Sequence, residues 1–157
     1  MRGTIESVCV SPGGLPKLAV PSALAGPLGL EGDSHNHPHI HGGPGKALLL
    51  IAAESLAELR AAGFAVAPGV LGENLTTRGI RMEHVAAGMR FRAGDAVIEI
   101  TRPRKPCHQL DFLNSHGPGR IQQRLTAQPH LAGWYARVLL PGLIRVGDII
   151  ELTECAV

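Results

Sequence analysis

The sequence has no strong charge of either sign. Its 15 Lys and Arg against 13 Asp and Glu leave a formal net charge of +2 over 157 residues. That is far from the basic balance by which nucleic-acid-binding domains gather on phosphate backbones, so no nucleic-acid partner is expected and a phosphate-bearing small molecule suits the chain better. Cysteine is scarce. Cys9, Cys107 and Cys155 are an odd number without a CxxC spacing, which argues against a disulfide framework and against a cysteine-built zinc site and makes a reducing cytoplasm the simplest location. Long apolar runs are missing too. Residues 1–8 alternate apolar and polar with no signal-peptide core, and nothing approaches the ~18 uninterrupted apolar residues of a membrane span, so a soluble protein without a membrane partner is expected. There is no GxGxxG between a strand and a helix and no GxxxxGK[ST] loop, which removes the common dinucleotide and P-loop sites. No repeat or linker divides the sequence, so one domain over residues 1–157 is expected, long enough for a hydrophobic core without staples.

What the sequence does have is short extended segments punctuated by 20 glycines and 12 prolines. Ile5, Val8 and Val10 open a strand that ends at the turn Ser11-Pro12-Gly13-Gly14, with Leu15 to Val20 as its return and Ala23 to Leu30 as a third, irregular strand. Residues 31–45 form a long loop rich in Gly, His, Asp and Pro. Ala47 to Ile51 is a continuous apolar run that suits a buried strand. Ala52 to Ala62 predicts a helix, with Leu56 and Leu59 on one face and Gly63 as its stop. Further strands are expected at Met89 to Arg92 and Ala96 to Ile100 around a Gly94-Asp95 turn, then at Trp134 to Leu140, Leu143 to Val146 and Ile149 to Leu152, with a second short helix over Gly119 to Leu125. This pattern predicts a mainly β, β-rich α+β domain, a barrel or sandwich and not a parallel sheet.

The chemistry is expected at Thr101-Arg-Pro-Arg-Lys-Pro-Cys-His108. Arg102, Arg104 and Lys105 precede Cys107 closely and would favour its thiolate, the reactive and metal-binding form. A short helix beginning at Cys107 would act the same way. The bland reading, a basic surface loop with an incidental cysteine, has comparable weight on local composition. His108 follows Cys107 at once, but adjacent side chains point apart, so a Cys-His hydrolase is a poor second choice. His35, His37, His39 and His41 alternate along the loop, yet Pro38 and the glycines around them favour an irregular surface loop over a metal site. Lys46 reads either as a solvated lysine or as a phosphate-binding point charge after a glycine-rich turn, and Asn74 either as a turn residue or as an amide facing whatever Cys107 holds.

Taken together, Gly-Leu-Glu-Gly-Asp (29–33), His-Gly-Gly-Pro-Gly-Lys-Ala (41–47), Gly-Glu-Asn-Leu-Thr (72–76), Thr-x-Pro-Arg-x-Pro-Cys (101–107), Gly-Trp-Tyr-Ala-Arg-Val (133–138) and Gly-Asp (147–148) resemble the MOSC domain, named for the C-terminal domain of molybdenum cofactor sulfurases. The resemblance runs over nearly the whole chain. It implies a distorted β-barrel with a few short helices and a pocket for a molybdopterin-type molybdenum cofactor. By motif, Cys107 is the molybdenum ligand or sulfur carrier and Arg104 the family arginine before it, while His41, Lys46 and Asn74 fall in the other pocket motifs and Arg102 joins the cation set. Gln109 stands where the family often has Lys, and the histidine run at 34–40 is unusual.

The sequence shows neither the pyridoxal-phosphate desulfurase domain of full sulfurases nor the extra N-terminal barrel and iron–sulfur domain of the larger MOSC reductases, so a stand-alone module is expected. Two functions follow from the resemblance. In one, the protein is an oxidoreductase that reduces N-hydroxylated compounds with electrons from a separate flavin or iron–sulfur protein. In the other, it is a non-catalytic cofactor-binding or sulfur-carrier module.

Overall fold

The computed structural model describes residues 1–34, 42–115 and 117–154. The histidine loop, with His35, His37, His39 and His41, lies outside the described residues, as does Cys155. Eleven strands are formed among the described residues: β1 (Arg2–Val10), β2 (Leu18–Val20), β3 (Ser22–Gly26), β4 (Gly29–Leu30), β5 (Leu48–Ala52), β6 (Leu75–Arg78), β7 (Arg90–Ala93), β8 (Ala96–Pro103), β9 (Trp134–Leu140), β10 (Gly142–Arg145) and β11 (Ile149–Glu154). Two α-helices, α1 (Ala53–Ala61) and α2 (Arg120–Ala127), and short 3-10 turns complete them.

The main sheet runs β11-β7-β8-β9-β5-β6-β1-β2, and β11 also pairs with β1. That extra pairing closes the sheet into a barrel, with β2 attached outside the ring. Strand β1 is long enough to serve three neighbours: Arg2–Thr4 pair with β11, Thr4–Val8 with β6 and Val8–Val10 with β2. A register shift between Ile5 and Ser7 lets one strand change direction between these partners. A second small sheet, β10-β3-β4, is not hydrogen-bonded into this ring but packs Ala23, Ala25, Leu30 and Ile144 into the same core. The expected return strand is thus only Leu18–Val20, and the expected irregular third strand is a tight pair, β3 and β4, in the second sheet.

The apolar run of β5 is explained by its two faces. Leu48, Leu50 and Ala52 join the barrel core with Ile5, Leu75, Phe91, Ile98 and Ile150, while Ile51 joins a second core with Leu56 and Leu59 of α1 and Ile121 and Leu125 of α2. A strand buried on both faces has no place for alternating polar residues. This strand also makes the one parallel pairing among the described residues, with β6 through the α1 crossover. Helix α1 forms from strong helix formers with Glu54 in its first turn and Arg60 in its last, each matching the local sign of the helix dipole. It ends where Gly63 takes φ +96°. At the start of β9, Gly133 has φ +86°, and a Cβ there would lie 2.2 Å from the Leu50 carbonyl oxygen. Only glycine lets β9 approach β5 this closely, and the same residue accepts a bond from Arg104 N at 2.9 Å.

Candidate functional site

A cleft of about 60 Å³, open to solvent, lies beside the start of β6. That enclosed volume is well below the roughly 300–1,000 Å³ of sites that engulf a small molecule, so a larger ligand would lie across the open mouth with only part of it in the cleft. The lining contains three cations, Lys17, Lys46 and Arg104, and no carboxylate among the described residues; Asn74, Gln109 and Tyr135 add neutral polar groups.

The first part of the floor is a buried ion pair whose carboxylate oxygens both have partners. Lys17 Nζ meets Asp33 Oδ2 at 2.5 Å, with the two side chains 5% and 2% exposed. Asp33 Oδ1 accepts from Ser11 N at 2.9 Å, and Asp33 Oδ2 also accepts from Asn74 Nδ2 at 2.8 Å. Asn74 then acts as a rivet between strands: Nδ2 donates to Cys9 O at 3.2 Å, and Oδ1 accepts from Leu49 N at 3.1 Å. Its backbone repeats the pattern, with N donating to Leu49 O and O accepting from Cys9 N. Both amide hydrogens of Asn74 are therefore committed to protein partners. It enters the cleft as floor and not as a free donor.

The second part is built on the turn of residues 69–73. Gly69 has φ +88°, and a Cβ there would stand 2.2 Å from the Lys17 carbonyl oxygen. Its N donates to Glu73 Oε1 at 2.8 Å, and Thr76 Oγ1 donates to the same oxygen at 3.4 Å. Glu73 is 0% exposed, and burial pushes its carboxyl up to about 7, against the pull of its hydrogen bonds and of Arg104. Arg104 is 7% exposed and its Nη2 donates to Leu71 O at 3.0 Å. Glu73 Oε2 and Arg104 Nη1 are both buried without a partner among the described residues. Burial pushes the guanidinium down, while Tyr135, Cys107 and Glu73 push it back up.

Above this floor, Lys46 ends a 3-10 turn (Pro44–Lys46) that Thr101 Oγ1 holds by donating to Gly45 O at 2.6 Å. The Lys46 ammonium stands 5.5 Å over the Tyr135 ring, and burial together with the charge of Arg102 pushes it down. Burial pushes the Tyr135 phenol up, partly offset by Arg104, so it stays protonated at neutral pH. Cys107 is half-buried and caps a 3-10 turn (His108–Leu113), a shorter form of the expected helix. Gln122 of α2 anchors it by donating to Cys107 O at 3.0 Å. Cys107 interacts electrostatically with Arg104 and Tyr135 but is not among the side chains lining the cleft, although Arg104 and Gln109 on either side of it are.

The structure thus gathers Lys46, Asn74 and Arg104, leaves Arg102 exposed outside the lining, and places Cys107 beside it. Sequence reasoning missed Lys17, Asp33 and Glu73. Asp33 and Glu73 lie inside quoted motifs, but a buried pair 16 residues apart across a turn has no periodic signature. Tyr135 was within reach as the sole tyrosine, in the Gly-Trp-Tyr motif. Cys9 is wholly buried, and burial pushes its thiol up, as an inert cysteine requires.

A sequence model of the MOSC domain matches residues 37–151. The chain is 34% identical over 134 residues to Protein YiiM of Escherichia coli K12, covering 81% of this chain and 57% of that protein. It is also 34% identical over 125 residues to the uncharacterized protein YflK of Bacillus subtilis 168, covering 78% and 54%. The chain therefore spans little more than half the length of these curated relatives. The crystal structure of Escherichia coli YiiM superposes with a TM-score of 0.78 at 28% identity over 99% of this chain and 71% of that one. That of Geobacillus stearothermophilus YiiM gives 0.79 at 25% identity over 97% and 75%. Barrel, motif order and relatives agree: the chain belongs to the MOSC domain family.

Proposed function

We propose that the cleft binds a molybdopterin-type molybdenum cofactor, with Arg104 and Lys46 on its phosphate and Cys107 as molybdenum ligand or sulfur carrier. One observation carries this reading: a nearly buried guanidinium, its Nη1 without a partner among the described residues, borders a cleft lined by cations and by no carboxylate among those residues. A buried donor without an acceptor is unfavourable by about 1–3 kcal/mol, more for a charged group, and an anionic ligand removes that penalty. The donor set therefore fits a phosphate. When bound, the cofactor would supply two-electron redox chemistry at a metal that takes a soft thiolate ligand.

The residues have separable tasks in this proposal. Arg104 and Lys46 bind and orient the anionic tail. Tyr135 keeps its proton and can donate it toward bound substrate. The floor of Lys17, Asp33 and Asn74 excludes water beneath the ligand. The reaction would be the reduction of an N-hydroxylated compound: the N–O bond breaks, two electrons arrive from a separate flavin or iron–sulfur protein, two protons enter, and water leaves. A non-catalytic sulfur-carrier role is the second reading, favoured by the half-exposed Cys107 standing off the cleft lining. The test is molybdenum and pterin content after expression in a host that makes the cofactor. Cys107→Ser should lose molybdenum while Cys9→Ser keeps it, and equal retention in both variants would remove Cys107 from the reading. Turnover of an N-hydroxylated substrate by the loaded wild type with a donor protein separates reductase from carrier.

A further inference from the structure

We infer that an anion binding at Arg104 drives proton uptake by Glu73, which makes Glu73 a positioning residue that acts through the guanidinium. This rests on reading the cleft as an anion site and adds how that site is regulated. Both heads hold the same turn, Glu73 at Gly69 N and Arg104 at Leu71 O. Each keeps one buried polar atom without a partner among the described residues. They feel one another's charge, yet no ion pair joins them among the described residues. Arg104 lines the cleft, so an anion entering there meets its guanidinium, while Glu73 beneath is the competing negative charge.

The surroundings leave that competition uncompensated. From β1, the Cys9 thiol faces Glu73, kept neutral chiefly by burial. Lys17 and Asp33 are in the same neighbourhood, but they neutralise each other across their ion pair. Thr76 offers only a hydroxyl, already donated to Oε1. Among the described residues, Arg104 is the net charge that opposes Glu73. When a dianion in the cleft reaches the Arg104 guanidinium, two negative groups would share one cation in a poorly hydrated floor, which is unfavourable by Coulomb repulsion. Glu73 relieves it by taking a proton from solvent onto its carboxyl: anion plus carboxylate plus H⁺ gives bound anion plus neutral carboxylic acid. Because the carboxyl titrates at about 7 in the free protein, the coupling operates at physiological pH.

Sulfate is the probe, since it carries no titratable proton near neutrality. Calorimetric titration at pH 7 in two buffers of different ionisation enthalpy should show uptake of about half a proton per sulfate bound, and affinity should fall toward tenfold per pH unit above 7. In Glu73→Gln the uptake should vanish and affinity should stay flat between pH 6 and 8. The sulfate-induced infrared difference spectrum of the wild type should gain a protonated-carboxyl carbonyl band, a readout that needs no variant to fold and that histidine protonation does not mimic. Sulfate binding without that band, uptake that persists in Glu73→Gln, or no sulfate binding at all overturns the coupling. The cofactor reading is judged separately by molybdenum content in Cys107→Ser, so the two fail independently.

Discussion

Two buried polar clusters form the floor of one cleft, and they differ in how completely they are satisfied. In the Lys17–Asp33–Asn74 cluster every carboxylate oxygen and amide hydrogen has a partner in the chain. In the Glu73–Arg104 cluster one carboxylate oxygen and one guanidinium nitrogen have none among the described residues. A fully satisfied buried network specifies structure; a half-satisfied one destabilises the fold unless a ligand completes it. The first cluster suits holding the barrel, while the second is the one that the proposed function puts to use for a ligand.

The sharpest way to break this comparison is Asp33→Ala. It would leave the Lys17 ammonium buried without its carboxylate and would free one hydrogen of Asn74. Removing one partner of a buried ion pair destabilises by about 3–5 kcal/mol, and that loss should appear as a lower midpoint in urea unfolding. A change below about 1 kcal/mol would show that the cluster is not structural.

Glu73 should behave in the opposite sense and with a pH dependence. Its carboxyl titrates at about 7 when folded against a usual 4.5, so the folded chain retains a proton that the unfolded chain has already released in that window. Unfolding therefore sheds protons, and this contribution to stability is full below about 4.5 and is lost as pH rises through 7. The difference in stability between wild type and Glu73→Gln should shift by about 2–3 kcal/mol in favour of the variant between pH 4.5 and 8. A difference that stays constant over that window would mean Glu73 is ionised throughout.

These contrasts also show which parts of the molecule were legible beforehand. The barrel was, because its strands carry local signals: the buried run of Leu48 to Ile51, the Gly94-Asp95 turn, and helix α1 stopped at Gly63. The parallel pairing of β5 with β6 was not, since a crossover is a matter of where α1 packs and not of any residue in the two strands. Lys46, Asn74 and Arg104 were brought together as the motif order implied, because motifs record positions that converge in space. The division of labour among them was hidden. Whether the Asn74 amide faces a ligand or bonds to Cys9 and Leu49 depends on β1 and β5, and whether Arg104 has one free nitrogen depends on the Leu71 carbonyl. The bidentate phosphate grip that a free guanidinium suggests is reduced here, with Nη2 already on Leu71 O.

Arg104→Lys measures what that remaining nitrogen contributes. Lysine keeps the charge but cannot reach both the Leu71 carbonyl and an anion from fixed, planar nitrogens. A charge-assisted hydrogen bond of this kind contributes about 1.5–3 kcal/mol, so sulfate should bind roughly ten- to a hundredfold more weakly while urea unfolding changes less. Equal affinity in the two proteins would assign Arg104 to the turn alone, and the cluster would then resemble its structural neighbour.

Lys46→Gln should have the smallest effect and a different signature. Lys46 is half-buried at the cleft mouth, its ammonium over the Tyr135 ring and exposed to the repulsion of Arg102. Its attraction for an anion passes partly through solvent, where salt screens charges over about 8–10 Å. Removing it should weaken sulfate binding about two- to fivefold at low ionic strength, equivalent to about 0.5–1 kcal/mol, and less at higher salt. The loss at Arg104, whose guanidinium is nearly buried, should change little with salt because the surrounding protein keeps ions away from it. Measuring both variants across a salt series sets the two cations apart: the Lys46 loss should fade as salt is added and the Arg104 loss should persist. If the two decline in parallel, Arg104 is as accessible to solvent ions as Lys46, and its guanidinium is not the protected anion contact proposed for the cleft.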